Sequence, residues 1–494
     1  SNYKNRDMSL MSTQSREALA SPKTFTILLL IIGLCGLAYS IMFQKWIFVA
    51  IICASPSIIL LFVYSCKYPI VSFVVYATIA YFFDAINRYT RFDGISIILD
   101  IALIYTLMAM LLNRISNEHS DIRAKDIFNT LTIGYFIWMI FIILQLTNLG
   151  TDLNKIFTSS RSWLLATPLL YILSSLLLTS PKKLRYALII LGGFTIIVFL
   201  KLLWQKFRWF DPAEVAWLME GSWRTHLLRS GVRYFSLFSD AGNFGAIMGM
   251  TTIIYSILFL HTYSKVLRYF YLLIACMGGL GMLMSGTRGS IIIPLGGLML
   301  YCLLCRNIKV IISSIIAGGL IFCFFSFTNI GDNYSMIRRM RTAFKPTEDA
   351  SFNVRIENQK IIAQYLKKHP MGAGIGGHIT TPRWENDQYI DYRIPPDSFY
   401  VDIWSQGGTY GLVLYILIFA CIILRCCYII MFRIRDAQLR NTLAALLCGL
   451  FGLFLNGYVG RGMGFQPGVS LIGFFFAFIL NGPLIEQRLS KKTN

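Results

Sequence analysis

The sequence predicts an all-α protein, a polytopic bundle of transmembrane helices that carries one large, partly helical loop. Hydrophobic residues make up 56% of the 494 residues, charged residues only 14%, and the mean hydropathy is +0.60. An ordinary soluble domain of this length does not have such a composition. Apolar runs of about 17 to 25 residues recur along the chain, and a helix of that length crosses about 30 Å of hydrocarbon.

These apolar runs predict about 14 spans, and an even number places both termini on the same side of the membrane. The predicted spans lie near residues 24–43, 46–65, 70–88, 95–113, 128–148, 163–179, 186–204, 237–260, 269–286, 289–305, 309–328, 399–425, 441–459 and 468–485. The run from Phe25 is too long for a signal peptide, so we expect no cleavable leader. Basic residues concentrate in the short linkers on the side of the termini, which predicts that this side is cytoplasmic.

The predicted spans divide the chain into four segments. They are a cytoplasmic N-terminal segment (1–23), a membrane block with an outer loop near 205–236 (24–328), a large outer loop (329–398), and C-terminal spans with a cytoplasmic tail (399–494). Both outer loops are rich in cations, which suit an anionic ligand or, alternatively, lipid headgroups. The 11 cysteines lie in the apolar runs or at their cytoplasmic ends, so we expect no disulfides in these loops.

Three arginines are candidates for binding such an anion. Arg288 interrupts apolar sequence on both sides, where a charge is costly without a partner or ligand. Arg233 directly precedes a span, and Arg355 falls on a predicted amphipathic helix, 353–368. A guanidinium holds phosphate oxygens in pairs and stays charged near lipid. The alternative for Arg288 and Arg233 is an interfacial anchor that extends to the headgroups.

Two aspartates allow more than one interpretation. Asp397 precedes a predicted helix, where it can act as a base, orient a hydroxyl or simply cap the helix. Asp100 lies within an apolar run and is predicted to link two helices, the alternative being a direct functional role. The glycine-rich segment 372–377 predicts a tight turn, whose amides can also point at a phosphate or a sugar.

Metal and nucleotide chemistry are not expected. The five histidines are scattered, the outer loops hold no carboxylate cluster, and the HExxH and Walker A patterns are absent from the sequence. We therefore predict no cofactor, no metal ion and no ATP-driven transport.

Three motifs, in this order, resemble the superfamily of bacterial O-antigen polymerases (Wzy-type) and O-antigen ligases. Residues 231–245 are similar to the family's arginine, phenylalanine and small-residue entry into a span. Residues 285–289 resemble its serine-arginine-glycine turn. Arg355, residues 369–374 and residues 397–411 resemble its large periplasmic loop and return helix. The resemblance covers roughly residues 230–430.

The resemblance implies a GT-C-type glycosyltransferase of the bacterial inner membrane, with its active site facing the periplasm. Its substrates would be a donor and an acceptor glycan linked to undecaprenyl pyrophosphate, and a chain-length regulator is a possible partner. Asp397 and Arg288 would be catalytic. The residues that would bind pyrophosphate or glycan are Arg233, Arg355, His369, His378, Arg383 and Tyr400.

One departure favours the polymerase over the ligase. Ligases begin the return helix with His-Asn, whereas this chain has Asp397 and Ser398 there. The alternatives are a ligase that transfers the glycan to lipid A core, a transporter of lipid-linked sugars or small anions, and an assembly subunit without catalytic activity. Aromatic residues that suit either sugar stacking or the membrane interface are Trp209, Trp223, Trp384, Tyr389, Tyr392 and Trp404.

Overall fold

The computed structural model describes residues 56, 60–91, 94–116, 124–148, 159–228, 231–305, 308–331, 333–341, 350–385 and 388–493. The chain forms two compact units, Ser1–Ser72 and Phe73–Asn494. In the first unit, the described residues 60–67 are helical. The candidate site lies in the second unit.

Long helices account for most of the described chain. The helices are α1 (Pro69–Tyr81), α2 (Phe83–Thr90), α3 (Ile95–Ser116), α4 (Thr130–Leu144), α5 (Thr167–Leu177), α6 (Pro181–Arg208), α7 (Pro212–Trp217), α8 (Trp223–His226), α9 (Ala241–His261), α10 (Lys265–Met284), α11 (Ile292–Leu304), α12 (Ile308–Phe327), α13 (Ser335–Arg341), α14 (Ala350–Lys368), α15 (Phe399–Tyr428), α16 (Ala437–Asn456), α17 (Gly468–Leu480) and α18 (Gly482–Thr493). The predominance of helix confirms the predicted helical class.

Two small antiparallel hairpins depart from the all-α prediction. Strand β1 (Leu227–Leu228) pairs with β2 (Gly231–Val232), and β3 (Thr380–Glu385) pairs with β4 (Gln388–Arg393). In the second hairpin Thr380 lies opposite Arg393 and Glu385 opposite Gln388. Both hairpins lie in segments that were predicted as outer loops.

Seven helices in the described part of the chain are long and apolar enough to cross a membrane: α3, α4, α6, α9, α10, α15 and α16. The pairs α1–α2 and α17–α18, bent by 64° and 55°, raise the number to nine if each pair is one span. The chain is therefore an integral membrane protein. The count of 14 is not confirmed, because residues 24–43 and most of 46–65 lie outside the described ranges. In addition, the helices within 163–179 and 289–305 are shorter than a span.

Helices α9 and α16 form the centre of the bundle. Their most apolar stretches are 72% and 67% buried, against 33–39% for the other five spans. Helix α16 packs closely on α11, where an added Cβ at Gly452 would lie 2.3 Å from the carbonyl oxygen of Ile293. Small residues at this contact let the two backbones approach, as is usual between membrane helices.

The segment predicted as the large outer loop is folded against the start of α15. Helix α14 confirms the helix predicted at 353–368 and buries one face, on which Ile362 and Leu366 pack with Ala373 and Val401. Helix α15 is kinked at Gly408, whose φ of +68° lies in the left-handed region. A Cβ there would lie 2.0 Å from the Pro370 carbonyl oxygen, so only glycine fits this contact.

Candidate functional site

Four arginines from distant parts of the chain come together where α10 and α16 end and α9 and α15 begin: Arg233, Arg288, Arg339 and Arg355. An added Cβ at Gly286 would lie 3.3 Å from Cγ of Arg233 and 3.3 Å from Cδ of Arg339. Burial lowers the pKa of the Arg233 guanidinium, and the charges of Arg288 and Arg355 lower it further, while Asp240 opposes them. Guanidinium groups remain protonated despite such shifts, so the cluster is a concentrated positive charge.

The turn after α10 places two of these arginines. Gly286, two residues before Arg288, has a φ of +59°, in the left-handed region that favours glycine. The guanidinium of Arg233 donates from Nη2 to Thr287 Oγ1 at 2.9 Å and from Nη1 to the Thr225 carbonyl at 3.0 Å. Thr287 in turn donates to the Ala241 carbonyl at 2.8 Å. The Nε atom of Arg233 is buried and has no hydrogen-bond partner within the described ranges.

The connection between α16 and α17, residues 457–467, contacts both Arg355 and the turn that carries Arg288. Arg355 donates from Nη1 to the Val459 carbonyl at 2.9 Å. An added Cβ at Gly289 would lie 3.1 Å from Val459 Cβ, so the turn that carries Arg288 packs on the same residue. Asn456 strengthens this junction by donating to the Gly289 carbonyl at 2.9 Å.

Asp397 contacts the helix that carries Arg355 and does not cap α15. The cap is Ser398, whose Oγ accepts from the Val401 amide at 3.3 Å. The Asp397 carboxylate instead accepts a hydrogen bond from Asn358 Nδ2 at 2.9 Å. Asn358 follows Arg355 by three residues on α14, so their side chains start from the same helix face. The N-cap interpretation of Asp397 is therefore wrong.

A further ion pair was missed by the sequence analysis. Arg461 Nη2 lies 3.1 Å from Asp402 Oδ2, and Gln406 donates to Asp402 Oδ1 at 2.9 Å. The signal was present, because Arg461 stands between two apolar runs, as Arg288 does. Arg461 also lies directly between two glycines. Its partner on the return helix is 59 residues away in sequence.

The contacts described for four other predicted binding residues do not include the arginine cluster. These residues are His369, His378, Arg383 and Tyr400. His369 stacks on Tyr365 at 4.5 Å, about 20 Å along the helix from Arg355. His378 is exposed ahead of β3. Arg383 lies on β3 opposite Ile390, and its side chain is outside the described part. The Tyr400 hydroxyl donates to the Phe454 carbonyl at 2.8 Å, which ties α15 to α16.

The glycine-rich segment 372–377 forms the predicted turn, but its amides are used within the protein. The amides of Ala373 and Gly374 donate to the carbonyls of Ser405 and Gln406, and the Gly376 amide donates to Gln406 Oε1. The amides of Gly372 and Gly377 donate within the turn region itself. The predicted alternative of a phosphate-binding loop is therefore not supported.

A buried polar network supports the segment between Arg233 and α9. Arg88, only 8% exposed, donates to the carbonyls of Ser236 and Phe238 and lies 4.7 Å and 4.6 Å from the ring centres of Trp217 and Phe235. The Ser239 amide donates to Asp84 on the same helix at 2.9 Å.

His226 reinforces that segment as a neutral imidazole. Its Nδ1 donates to the Ser222 carbonyl at 2.9 Å and its Nε2 accepts from the Ala241 amide at 3.2 Å, which assigns the tautomer. Burial lowers the pKa of His226 and so favours this uncharged form.

Other polar groups serve the fold. Asp100 pairs with Arg161 at 3.0 Å between Oδ2 and Nε, as the predicted link between helices. In the described ranges, no three His, Cys, Asp or Glu side chains are grouped so that they could hold a metal ion.

Fold and site together define the class of the protein, an integral membrane protein with a cationic site at one end of its helices. Residues 270–416 match the family model described as Wzy_C, O-Antigen ligase, which confirms the resemblance found in the sequence. The matched segment includes Arg288, Arg355 and Asp397, whereas Arg233 and Arg461 lie outside it. A comparison with curated proteins gives no match. The family match points to glycan processing in a membrane.

Proposed function

We propose that the protein is a membrane glycosyltransferase that polymerises glycan repeat units carried on undecaprenyl pyrophosphate. The observation that carries the proposal is the convergence of Arg233, Arg288, Arg339 and Arg355. Asp397 is held by Asn358, three residues after Arg355 on α14. A pyrophosphate carries several negative charges, and guanidinium forks bind its oxygens in pairs. A carboxylate held on the helix that carries Arg355 suits a hydroxyl that must lose its proton.

In the proposed reaction the acceptor sugar oxygen attacks the anomeric carbon of the donor glycan. The bond between that carbon and the pyrophosphate oxygen breaks, and the pyrophosphate leaves with both electrons of this bond. The arginines stabilise the negative charge that develops on the leaving group, which is the role of preorganised cations in such sites. Asp397 accepts the proton of the attacking hydroxyl, and Asn358 orients the carboxylate. We place the site at the periplasmic face, because the basic short linkers favour the opposite side as cytoplasmic.

The direct test is turnover by the purified protein in detergent or nanodiscs with a lipid-linked repeat unit. We expect a ladder of longer lipid-linked products, and excess EDTA should leave the rate near its starting value because the arginines supply the positive charge. Transfer to lipid A core alone would make the protein a ligase. Movement of intact substrate across the bilayer without product would make it a transporter. A loss of activity on chelation that is restored by magnesium or manganese would contradict the metal-independent reaction.

Arg88 is predicted to position Arg233 through the two carbonyls it holds. Arg88→Lys should lower the rate at limiting donor about tenfold, because an ammonium does not reproduce the planar fork. In an Arg233→Lys background the same change should have little further effect on the rate. The effects of two residues that act through the same group do not add. The measurements are kcat, the donor KM and Tm for the four proteins of this cycle.

The matched control for this cycle is Arg91→Lys, at the end of the same helix, where the side chain is 62% exposed. We expect its kinetics to equal those of the parent. Equal losses from Arg88→Lys in both backgrounds would show that Arg88 supports the fold without acting through Arg233.

A further inference from the structure

The connection between α16 and α17 holds the first turn of α15. The amides at the start of a helix have no partner within the helix. Two of them, from Phe399 and Tyr400, donate instead to carbonyls of the connection, at Gly460 (3.0 Å) and Gly457 (3.3 Å). Phe399 lies two residues after the proposed base, so these contacts fix the backbone next to that carboxylate.

One side chain of the connection adds an ion pair to these backbone contacts. Arg461 Nη2 lies 3.1 Å from Asp402 Oδ2, in the same first turn of α15. The other carboxylate oxygen accepts from Gln406 at 2.9 Å, and Gln406 in turn accepts from the Gly376 amide. The guanidinium carbon lies 5.3 Å from the ring centre of Phe465. Neighbouring groups therefore hold both members of the pair.

The same connection contacts the elements that carry the arginine cluster. The Val459 carbonyl accepts from Arg355, and Val459 also packs on the turn at Gly289. Near its other end, the Gln466 carbonyl accepts from Asn243 Nδ2 at 2.8 Å, which ties the connection to the start of α9. One segment thus contacts the return helix on one side and the supports of the arginines on the other.

We propose that Arg461 is a positioning residue. By pairing with Asp402 it holds the start of α15 against the connection, and the proposed base, Asp397, directly precedes that start. The connection in turn contacts Arg355 and the turn that carries Arg288. The inference rests on the proposed glycosyl transfer, in which the base and the leaving pyrophosphate must be aligned. A misplacement of about 1 Å at such a site costs about 100-fold in rate.

The exposure of the pair argues that its effect lies in alignment more than in stability. The side chains of Arg461 and Asp402 are 42% and 25% exposed. Ion pairs open to solvent contribute little to the free energy of unfolding. Loss of the pair should therefore change the rate while Tm stays near the parent value.

The kinetic test removes the charge of Arg461 and keeps its apolar stem. Arg461→Met should lower kcat about tenfold and leave the donor KM unchanged, because one of three contacts on the helix start is lost. Arg461→Lys should retain most of kcat, since an ammonium can still pair with Asp402. In an Asp397→Asn background Arg461→Met should have little further effect.

Two results would overturn this assignment. Equal losses of kcat from Arg461→Met in the parent and in the Asp397→Asn background would show that Arg461 does not act through the base. A donor KM raised equally by Arg461→Met and Arg461→Lys would place the guanidinium on the pyrophosphate, because only the fork is lost in both.

The matched control breaks a second ion pair of similar length. Arg161 lies 3.0 Å from Asp100, with side chains 36% and 11% exposed, and the pair links helices. Arg161→Met should lower Tm more than Arg461→Met does, because it leaves a more buried carboxylate without its partner, and should not change kcat. An equal fall in kcat from both variants would refute a specific role of Arg461.

Hydrogen exchange separates this inference from the reaction itself. In the whole protein in nanodiscs, the amides of Phe399 and Tyr400 should exchange faster in Arg461→Met than in the parent, and at the parent rate in Arg161→Met. This readout needs no turnover, so faster exchange in an inactive protein would refute the glycosyl transfer and keep the link between the connection and α15. Unchanged exchange in Arg461→Met would overturn that link.

Discussion

Arg288→Ala is expected to abolish polymer formation while the protein still inserts in the membrane and purifies as the parent does. Arg288 lies at the turn that Gly286 creates, beside Arg233, where a pyrophosphate would meet several guanidiniums at once. Loss of one preorganised group that stabilises developing charge costs about 100- to 1,000-fold in rate. The measurements are the ladder of polymer in cells and kcat with a purified lipid-linked donor.

Two further variants test whether the guanidinium group and its position at residue 288 are both required. Arg288→Lys should recover little activity, because a point charge does not make the paired contact of a planar fork. Arg268→Ala is the control, since this exposed arginine lies near the opposite end of α10 and contacts Phe259. Normal ladders from the Arg288→Ala variant would refute the assignment.

The sequence predicted the parts of the site that stand out locally. Arg288 and Arg233 are charges next to apolar runs, where any charge is costly and therefore noticeable. Arg339 is different because it belongs to a run with Arg338 and Arg341, and composition cannot tell which of the three faces inward. The fold decides this, since Arg338 is exposed whereas Arg339 is half-buried against Gly286.

The two predicted histidines show what residue type alone does not specify, because their roles stay a prediction and only their positions are described. His369 and His378 are in the right segment, but the length of α14 and the turn after it keep His369 away from Arg355. The ion pair between Asp402 and Arg461 could not be predicted either, because it depends on how residues 457–467 fold back onto α15.

The number of spans has a similar limit. Hydropathy measures whether a run is apolar enough to cross, yet it does not detect a bend such as the one between α1 and α2. That bend directs Arg88 towards the carbonyls of Ser236 and Phe238 and so adds to the support of Arg233. The bend, which the predicted span at 70–88 does not show, is thus part of what supports the site.

Asp397→Asn is the second large effect we expect, and it separates a base from a structural carboxylate. Asparagine keeps the size and one oxygen that can accept from Asn358, but it cannot take a proton from the acceptor hydroxyl. A positioned base contributes about 100- to 10,000-fold, so the rate should fall by that order while Tm stays near the parent value.

The neighbouring cap supplies the control for Asp397. Ser398→Ala removes the side chain that caps α15, so it should cost about 1 kcal/mol of stability and little in rate, the reverse of the Asp397→Asn pattern. An Asp397→Asn rate within about threefold of the parent would exclude a base there, because general-base catalysis contributes far more. Acceptor choice then settles the class: extension of a lipid-linked repeat unit means a polymerase, and transfer to lipid A core means a ligase that uses aspartate where related ligases use histidine.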